Sequence, residues 1–340
     1  MMAPSLERST AAATTGEAPL VSVDGLVKHF PIHGGLLGRT KGTVQAVNDV
    51  SFDLARGETL SLVGESGCGK STVGKCLLGL TPLTAGEIRL DGVRIDTLAG
   101  RALKPMRRRM STVFQDPFSS LNPRMRVKEI VAEPIRAHGL ARTAAAREAR
   151  VGDLLERVGL SRAAMGRMPH QFSGGQRQRI GIARALASEP DVIVCDEAVS
   201  ALDVSVQAQI INLMMDLQAE LGLSLLFISH DLAVVEHMTH RVAVMYLGRI
   251  VEVAPRRAIF AGPKHPYTEA LLSAVPMVEP EKRRERIVLS GDVPSPIAPP
   301  SGCVFRTRCP HAFDRCAAEV PPLRPVGAGH HAACHLNETA

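Results

Sequence analysis

The 340-residue sequence has no tryptophan and only two tyrosines, and aromatic residues make up just 3% of it. A chain so poor in rings has little to stack on unpaired bases, which counts against single-stranded nucleic acid as its ligand. Long apolar runs are missing too. No stretch approaches the ~20 residues of a membrane-spanning helix, so the chain is not expected to cross a bilayer by itself. The opening "MMAPSLERSTAAATTGEAPL" is small and polar and lacks the apolar heart of a secretory signal. A protein kept in the cytosol keeps its thiols reduced, which argues against disulfides among the seven cysteines. Neither sign of charge dominates. The net value is +6, and the basic runs "KPMRRRM" (104–110) and "EKRRER" (281–286) are short enough to be ordinary solvated or partner-facing surface.

What is present is ample core material, with 45% hydrophobic residues. "LVSVDGLVKHF" and "VQAVNDVSFDL" alternate and are β-branched, as strands are. "TLSLV", "DVIVC" and "SLLFIS" are continuous apolar runs, the pattern of strands buried on both faces of a parallel sheet. "VSVQAQIINLMMDLQAELG" has helical spacing, and "VAVMYLGRIVEV" predicts a hairpin turning near Leu247 and Gly248. Strands alternating with helices predict a layered α/β domain. Composition then shifts. From residue 255 onward, 13 of the 23 prolines fall within 86 residues. The expected organisation is a flexible tail over 1–19, one domain over 20–258, and a Cys/Pro-rich extension over 259–340.

"GESGCGKST" fits the phosphate-loop pattern, with Gly64, Gly69, Lys70 and Ser71 at the fixed positions between a strand and a helix. Glycines let backbone N–H groups close on phosphate oxygens, and the helix N-terminus adds positive potential. Glu65, Ser66, Gly67 and Thr72 complete the loop, and Cys68 reads as a small filler without a chemical role. Lys70 is expected to reach the β- and γ-phosphates of ATP, and the Ser71 hydroxyl to hold Mg²⁺. "DVIVCDEAVSALD" brings Asp196 and Glu197 to the C-terminal end of a buried strand, where open α/β sheets bind ligands. Asp196 suits a metal-bound water, and Glu197 the polarisation of an attacking one.

"QFSGGQRQRIGIARAL" adds a second anion-binding turn, with Ser173, Gly174, Gly175 and Gln176 opening a helix. It resembles the signature of ATP-binding cassette ATPases. That resemblance implies a P-loop NTPase fold with an N-terminal antiparallel β-subdomain and a helical subdomain at about 117–173. It also implies that the signature closes over ATP held by a partner subunit. Further residues match by order: Gln115 the Mg²⁺-sensing glutamine, Asp203 the loop crossing the dimer interface, His230 the γ-phosphate switch, and Phe30 the adenine-stacking aromatic. Phe172 departs from the commoner leucine, and Ala198 and Val199 from the usual Pro-Thr, without removing a catalytic group. "VFQDPFSSLNPRM" and "KHPYTEALLSAVP" are similar to the oligopeptide and dipeptide importer branch, which includes nickel importers. Membership implies ATP-driven peptide import, a second and often paralogous ATPase, two membrane permeases, an extracytoplasmic binding protein and a place on the cytoplasmic face of the membrane. Nickel-chelate import is the alternative cargo. A DNA-repair ATPase is a remoter one, because only about 100 residues separate Lys70 from Ser173 and leave no room for an inserted zinc module or coiled coil.

Four cysteines, Cys303, Cys309, Cys316 and Cys334, crowd the last 38 residues with spacings of five, six and seventeen. These match neither the common zinc pairs nor the ferredoxin runs, and the donor set alone leaves zinc and an iron–sulfur cluster both open. Resemblance to cluster-containing members of the importer branch implies a [4Fe–4S] cluster, with zinc as the alternative. His311, His330, His331 and His335 are expected to face solvent. The thiols read as a staple for an irregular tail, remote from the ATP chemistry.

Overall fold

The computed structural model describes residues 18–34, 39–116, 118–275 and 285–339. Most of the expected tail, and residues 281–284 of the second basic run, lie outside them. The two alternating runs form β1 (Val21–Gly34) and β2 (Arg39–Leu54), which pair antiparallel. The fully buried β3 (Thr59–Val63) leads into α1 (Lys70–Leu77). β4 (Ala85–Leu90) and β5 (Val93–Arg94) then complete a four-stranded antiparallel sheet in the order β2-β1-β4-β5. After α2 (Lys104–Arg108) and β6 (Met110–Val113) come α3 (Val127–Ala137), α4 (Ala144–Arg157) and α5 (Gly174–Leu186). β7 (Val192–Asp196), α6 (Val204–Leu221), β8 (Ser224–Ser229) and α7 (Leu232–Met238) restore the strand–helix alternation.

β9 (Arg241–Tyr246) and β10 (Arg249–Pro255) form the expected hairpin. Leu247 and Gly248 both have positive φ, 43° and 79°, as a tight hairpin turn between twisted strands requires. Two short helices follow, α8 (Arg256–Ala261) and α9 (Pro266–Ser273), then α10 (Asp314–Ala318), β11 (Arg324–Gly327) and β12 (His330–Ala332). The second sheet has eight strands in the order β11-β12-β10-β9-β3-β8-β7-β6. Strands β9, β3, β8, β7 and β6 run parallel through its centre, and β10, β12 and β11 extend it antiparallel. Side chains of one face, such as Leu60, Leu62 and Ile228, pack on α1 and the antiparallel sheet. Those of the other, such as Leu225, Phe227 and Val244, pack on α3 to α7 and on Tyr267 and Phe305 from beyond residue 259.

The proline-rich region is therefore fastened to the central sheet. Glu252 on β10 is completely buried, yet its carboxylate accepts the Lys264 N–H (2.6 Å), the His265 N–H (3.0 Å) and a bond with His330 Nε2 (2.6 Å). A buried carboxylate is tolerable only when partnered in this way. The expectation that His330 and His335 face solvent is overturned. They are 5% and 3% exposed, and His335 Nε2 bonds the Glu319 carbonyl (3.2 Å). Composition suggested an open tail, but each imidazole satisfies a polar group that the packing has enclosed. His311 is exposed and His331 half-buried.

His265 caps α9, its Nδ1 accepting the Tyr267 N–H at 3.1 Å, and burial pushes its pKa down to about 4. Unfolded histidine takes its proton near pH 6.5, so this site stabilises the fold fully above that pH. The contribution is lost as pH falls towards 4, on the order of 3 kcal/mol in all. The urea-unfolding midpoint should drop between about pH 7 and about pH 4.5 in the wild type. It should drop less in His265→Asn, which retains a cap but does not titrate.

Candidate active site

The loop from Gly64 to Gly69 joins β3 to α1 and is shaped by close backbone approach. Gly64 (φ 151°) and Gly69 (φ 106°) lie so near the carbonyls of Met245 and Ala46 that a Cβ on either would come within 2.1 Å of one. The Gly248 N–H donates to the Cys68 carbonyl (2.9 Å), so the β9–β10 turn holds the loop from one side. Lys70 is 4% exposed, and its ammonium donates to the Gly64 and Glu65 carbonyls at 2.8 and 2.9 Å. Cys68 is buried beside it, and burial raises its thiol pKa, which fits a filler. Ser71, at the start of α1, donates its hydroxyl to Asp196 at the end of β7 (2.7 Å). Two hard oxygens meeting there suit Mg²⁺.

Glu197 follows in a left-handed conformation (φ 49°), which is costly for a residue with a Cβ and characteristic of functional turns. Its N–H donates to the Ile228 carbonyl (3.0 Å), fixing it to β8. Its carboxylate accepts the Gln115 amide (2.9 Å) and lies 3.5 Å from His230 Nδ1. Gln115 follows β6, and His230 follows β8. Three adjacent parallel strands thus deliver three polar groups to one point, the C-terminal edge of the sheet.

The signature residues are arranged otherwise. Ser173 caps α5 in a reciprocal capping box: its hydroxyl accepts the Gln176 N–H, while its own N–H donates to Gln176 Oε1 (3.1 Å). They bond to each other, away from the phosphate loop. Gly174 and Gly175 pack against Leu202 and Val206, which sets the start of α5 beside that of α6. Asp203 caps α6 by accepting the Val206 N–H (3.0 Å), and this bond first, with Ser205, holds its carboxyl below the usual range. Phe30 stands 38% exposed on β1 with the Lys28 ammonium 4.7 Å from its ring centre.

Two groups escaped the sequence reading. Gln178, 2% exposed on α5, donates to the Ala198 carbonyl (2.6 Å) and the Phe114 carbonyl (3.4 Å). It joins the residues next to Glu197 and Gln115 to the signature helix. Gln178 stands between Arg177 and Arg179, so nothing in the local sequence marked it as buried. Tyr267 is the other: its hydroxyl accepts the Glu65 N–H (2.9 Å) across 202 residues of chain.

The extension meets the same loop. Arg308, between Cys303 and Cys309, forks onto the Glu65 carboxylate at 2.7 and 3.1 Å. The expectation that the cysteine-rich tail lies remote from the ATP site is overturned, because packing of Phe305 on Tyr246 and Tyr267 carries it there. All four extension cysteines are free thiols. Burial and neighbouring thiols raise the pKa values of Cys303 and Cys309, and Cys334 is pushed up to about 11 by burial and by Cys303, Cys309 and Cys316. The Cys303 N–H donates to the Cys316 carbonyl (2.8 Å), a closure that Gly302 (φ 64°) permits. Among the described residues, no three His, Cys, Asp or Glu side chains converge as ligands of a single ion.

Comparison with known proteins agrees with this arrangement. Family models described as "ABC transporter" and "Oligopeptide/dipeptide transporter, C-terminal region" match residues 47–200 and 251–316. The chain is 55% identical over 322 residues to "Probable peptide ABC transporter ATP-binding protein y4tS" of Sinorhizobium fredii, covering 94% of this chain and 91% of the relative. It is 52% identical over 312 residues to "Oligopeptide transport ATP-binding protein AppF" of Bacillus subtilis, covering 91% and 94%. Among solved structures it matches the ATP-binding cassette MJ0796, in a dimeric post-hydrolysis state bound to ADP and Pi, with a TM-score of 0.62 and 28% identity over 70% of this chain and 99% of that one. It also matches cbiO1 from Clostridium perfringens, part of the cbiONQ transporter complex, with a TM-score of 0.61 and 27% identity over 72% and 92%. The chain belongs to the ATP-binding cassette family of transporter ATPases, in the branch that carries the oligopeptide/dipeptide transporter C-terminal region.

Proposed function

We propose that this chain is the ATP-hydrolysing subunit that powers import of di- or oligopeptides across the cytoplasmic membrane. The observation that carries the catalytic part is the meeting of Gln115 and His230 on Glu197, beside the Ser71–Asp196 pair. Lys70 and the loop N–H groups hold the β- and γ-phosphates of ATP. Mg²⁺ belongs with Ser71, Gln115 and Asp196 and neutralises phosphate charge when bound. Glu197 takes or orients the proton of the attacking water, and His230 reports the γ-phosphate. Phe30 offers its face to adenine. The exposed Ser173–Gln176 turn and Asp203 close over the ATP of a second ATPase, in our reading a paralogue rather than another copy. Peptide as cargo is supported by the importer-type C-terminal region and by the names of the relatives. No helix among the described residues is long and apolar enough to cross a membrane. In this reading two permeases, met at the cytoplasmic face, carry the peptide across.

The same reading gives Cys303, Cys309, Cys316 and Cys334 a [4Fe–4S] cluster. Four free thiols, with Cys334 close enough to feel the other three, form a suitable donor set. The cluster would cross-link the segments around residues 303–316 and 334 and take no part in hydrolysis.

Glu197→Gln should keep ATP binding but slow turnover by about 10²–10⁴-fold, trapping a closed dimer; near wild-type phosphate release would remove Glu197 from this role. Gln178→Leu strands the Ala198 carbonyl and should cost about 1–3 kcal/mol in urea unfolding. Anaerobically purified protein should absorb in the visible and carry about four irons per chain, with both iron and melting temperature lowered in Cys309→Ser. A colourless protein with one zinc per chain would refute the cluster.

A further inference from the structure

A carboxylate inside a phosphate-binding loop is electrostatically out of place. Glu65 directly follows Gly64, and its carbonyl accepts Lys70, the residue that must reach the phosphates. Left unpaired, its charge would repel ATP at close quarters. Arg308 answers it with a bidentate fork from a guanidinium whose side chain is only 8% exposed, while Glu65 is 28% exposed. Planar two-point pairing fixes direction as well as charge. The guanidinium carbon lies 5.9 Å from the Tyr246 ring centre, with the Tyr246 hydroxyl beside it. A buried arginine does not recover its desolvation through packing alone, which points to the Glu65 contact as its purpose. Tyr267 holds the same residue by its backbone N–H, so the loop is gripped through both the backbone and the side chain of one residue.

We propose that Arg308 is a positioning residue of the phosphate loop, holding and neutralising Glu65 so that the loop's donors meet ATP without an opposing charge. This rests on the assignment of residues 64–72 as the phosphate loop. Arg308 touches no nucleotide and acts wholly through Glu65. Because it sits one residue before Cys309, the ATP site and the cysteine quartet share a single short stretch of backbone.

The test is ATP binding by calorimetry, together with steady-state hydrolysis, on the full chain. Arg308→Met should raise the Kd for ATP about tenfold, the scale of one unit charge beside phosphates at protein-surface dielectric. It should raise KM with little change in kcat, since uniform binding is what is lost. Adding Glu65→Gln to Arg308→Met should restore most of the affinity, and Glu65→Gln alone should bind ATP as tightly as the wild type or tighter. A merely structural Arg308 predicts the opposite for the double variant, with affinity no better than in the single one. Unchanged affinity in Arg308→Met, or a double variant that fails to recover, would overturn the proposal. If Arg308→Met does not fold, Glu65→Gln decides it alone: a tenfold loss of affinity there overturns the charge argument. Tight ATP binding by Lys70→Ala would instead overturn the phosphate-loop assignment.

Discussion

Gly64 and Gly69 bring the backbone of the phosphate loop against the carbonyls of Met245 and Ala46, at distances where any side chain would collide. That contact sets where everything else can be. It ties the loop at once to β9 and to β2, so the central sheet, the antiparallel sheet and the start of α1 share one fixed point. Lys70 is buried there because the loop curls around it, and Ser71 is aimed at Asp196 because α1 begins where the loop ends. Close packing has little compliance, so a methyl group at either glycine would have to displace main chain and not a flexible side chain.

The catalytic groups follow from strand order. β6, β7 and β8 are neighbours, and the residues just past their ends, Gln115, Glu197 and His230, therefore meet without long excursions of the chain. The left-handed turn at Glu197 points its carboxylate between the other two, and Gln178 secures the turn from behind by engaging Ala198. Signature helix and catalytic turn are thus mechanically joined within one subunit. A shift of α5 would reach the turn at Glu197 through a single buried amide.

The sequence made much of this legible because its information is local. Glycine spacing, apolar runs of strand length, the hairpin turn at Leu247 and Gly248 and the helix-opening turn at Ser173 each act within a few positions. Tyr267, Arg308 and the Glu252–His330 pair were not legible for the opposite reason. Glu65 and Arg308 stand 243 residues apart, and nothing near either one announces the other. The proline content of the tail suggested loose chain, and prolines do prevent long helices there. Order comes instead from a buried carboxylate, three rings packed at steep angles and a late strand. These interactions depend on enclosure, which composition does not encode.

That late strand has a temporal consequence. β12 pairs with β10 through residues 331 and 332 against 253 and 252, so the sheet holding the phosphate loop stays one edge short until those residues have been synthesised. Until then β10 offers an open edge and Glu252 lacks its histidine. A nascent chain could pair its earlier strands on the ribosome and set the loop against Met245 and Ala46, yet still lack the grip of Tyr267 and Arg308 on Glu65 until those residues had emerged.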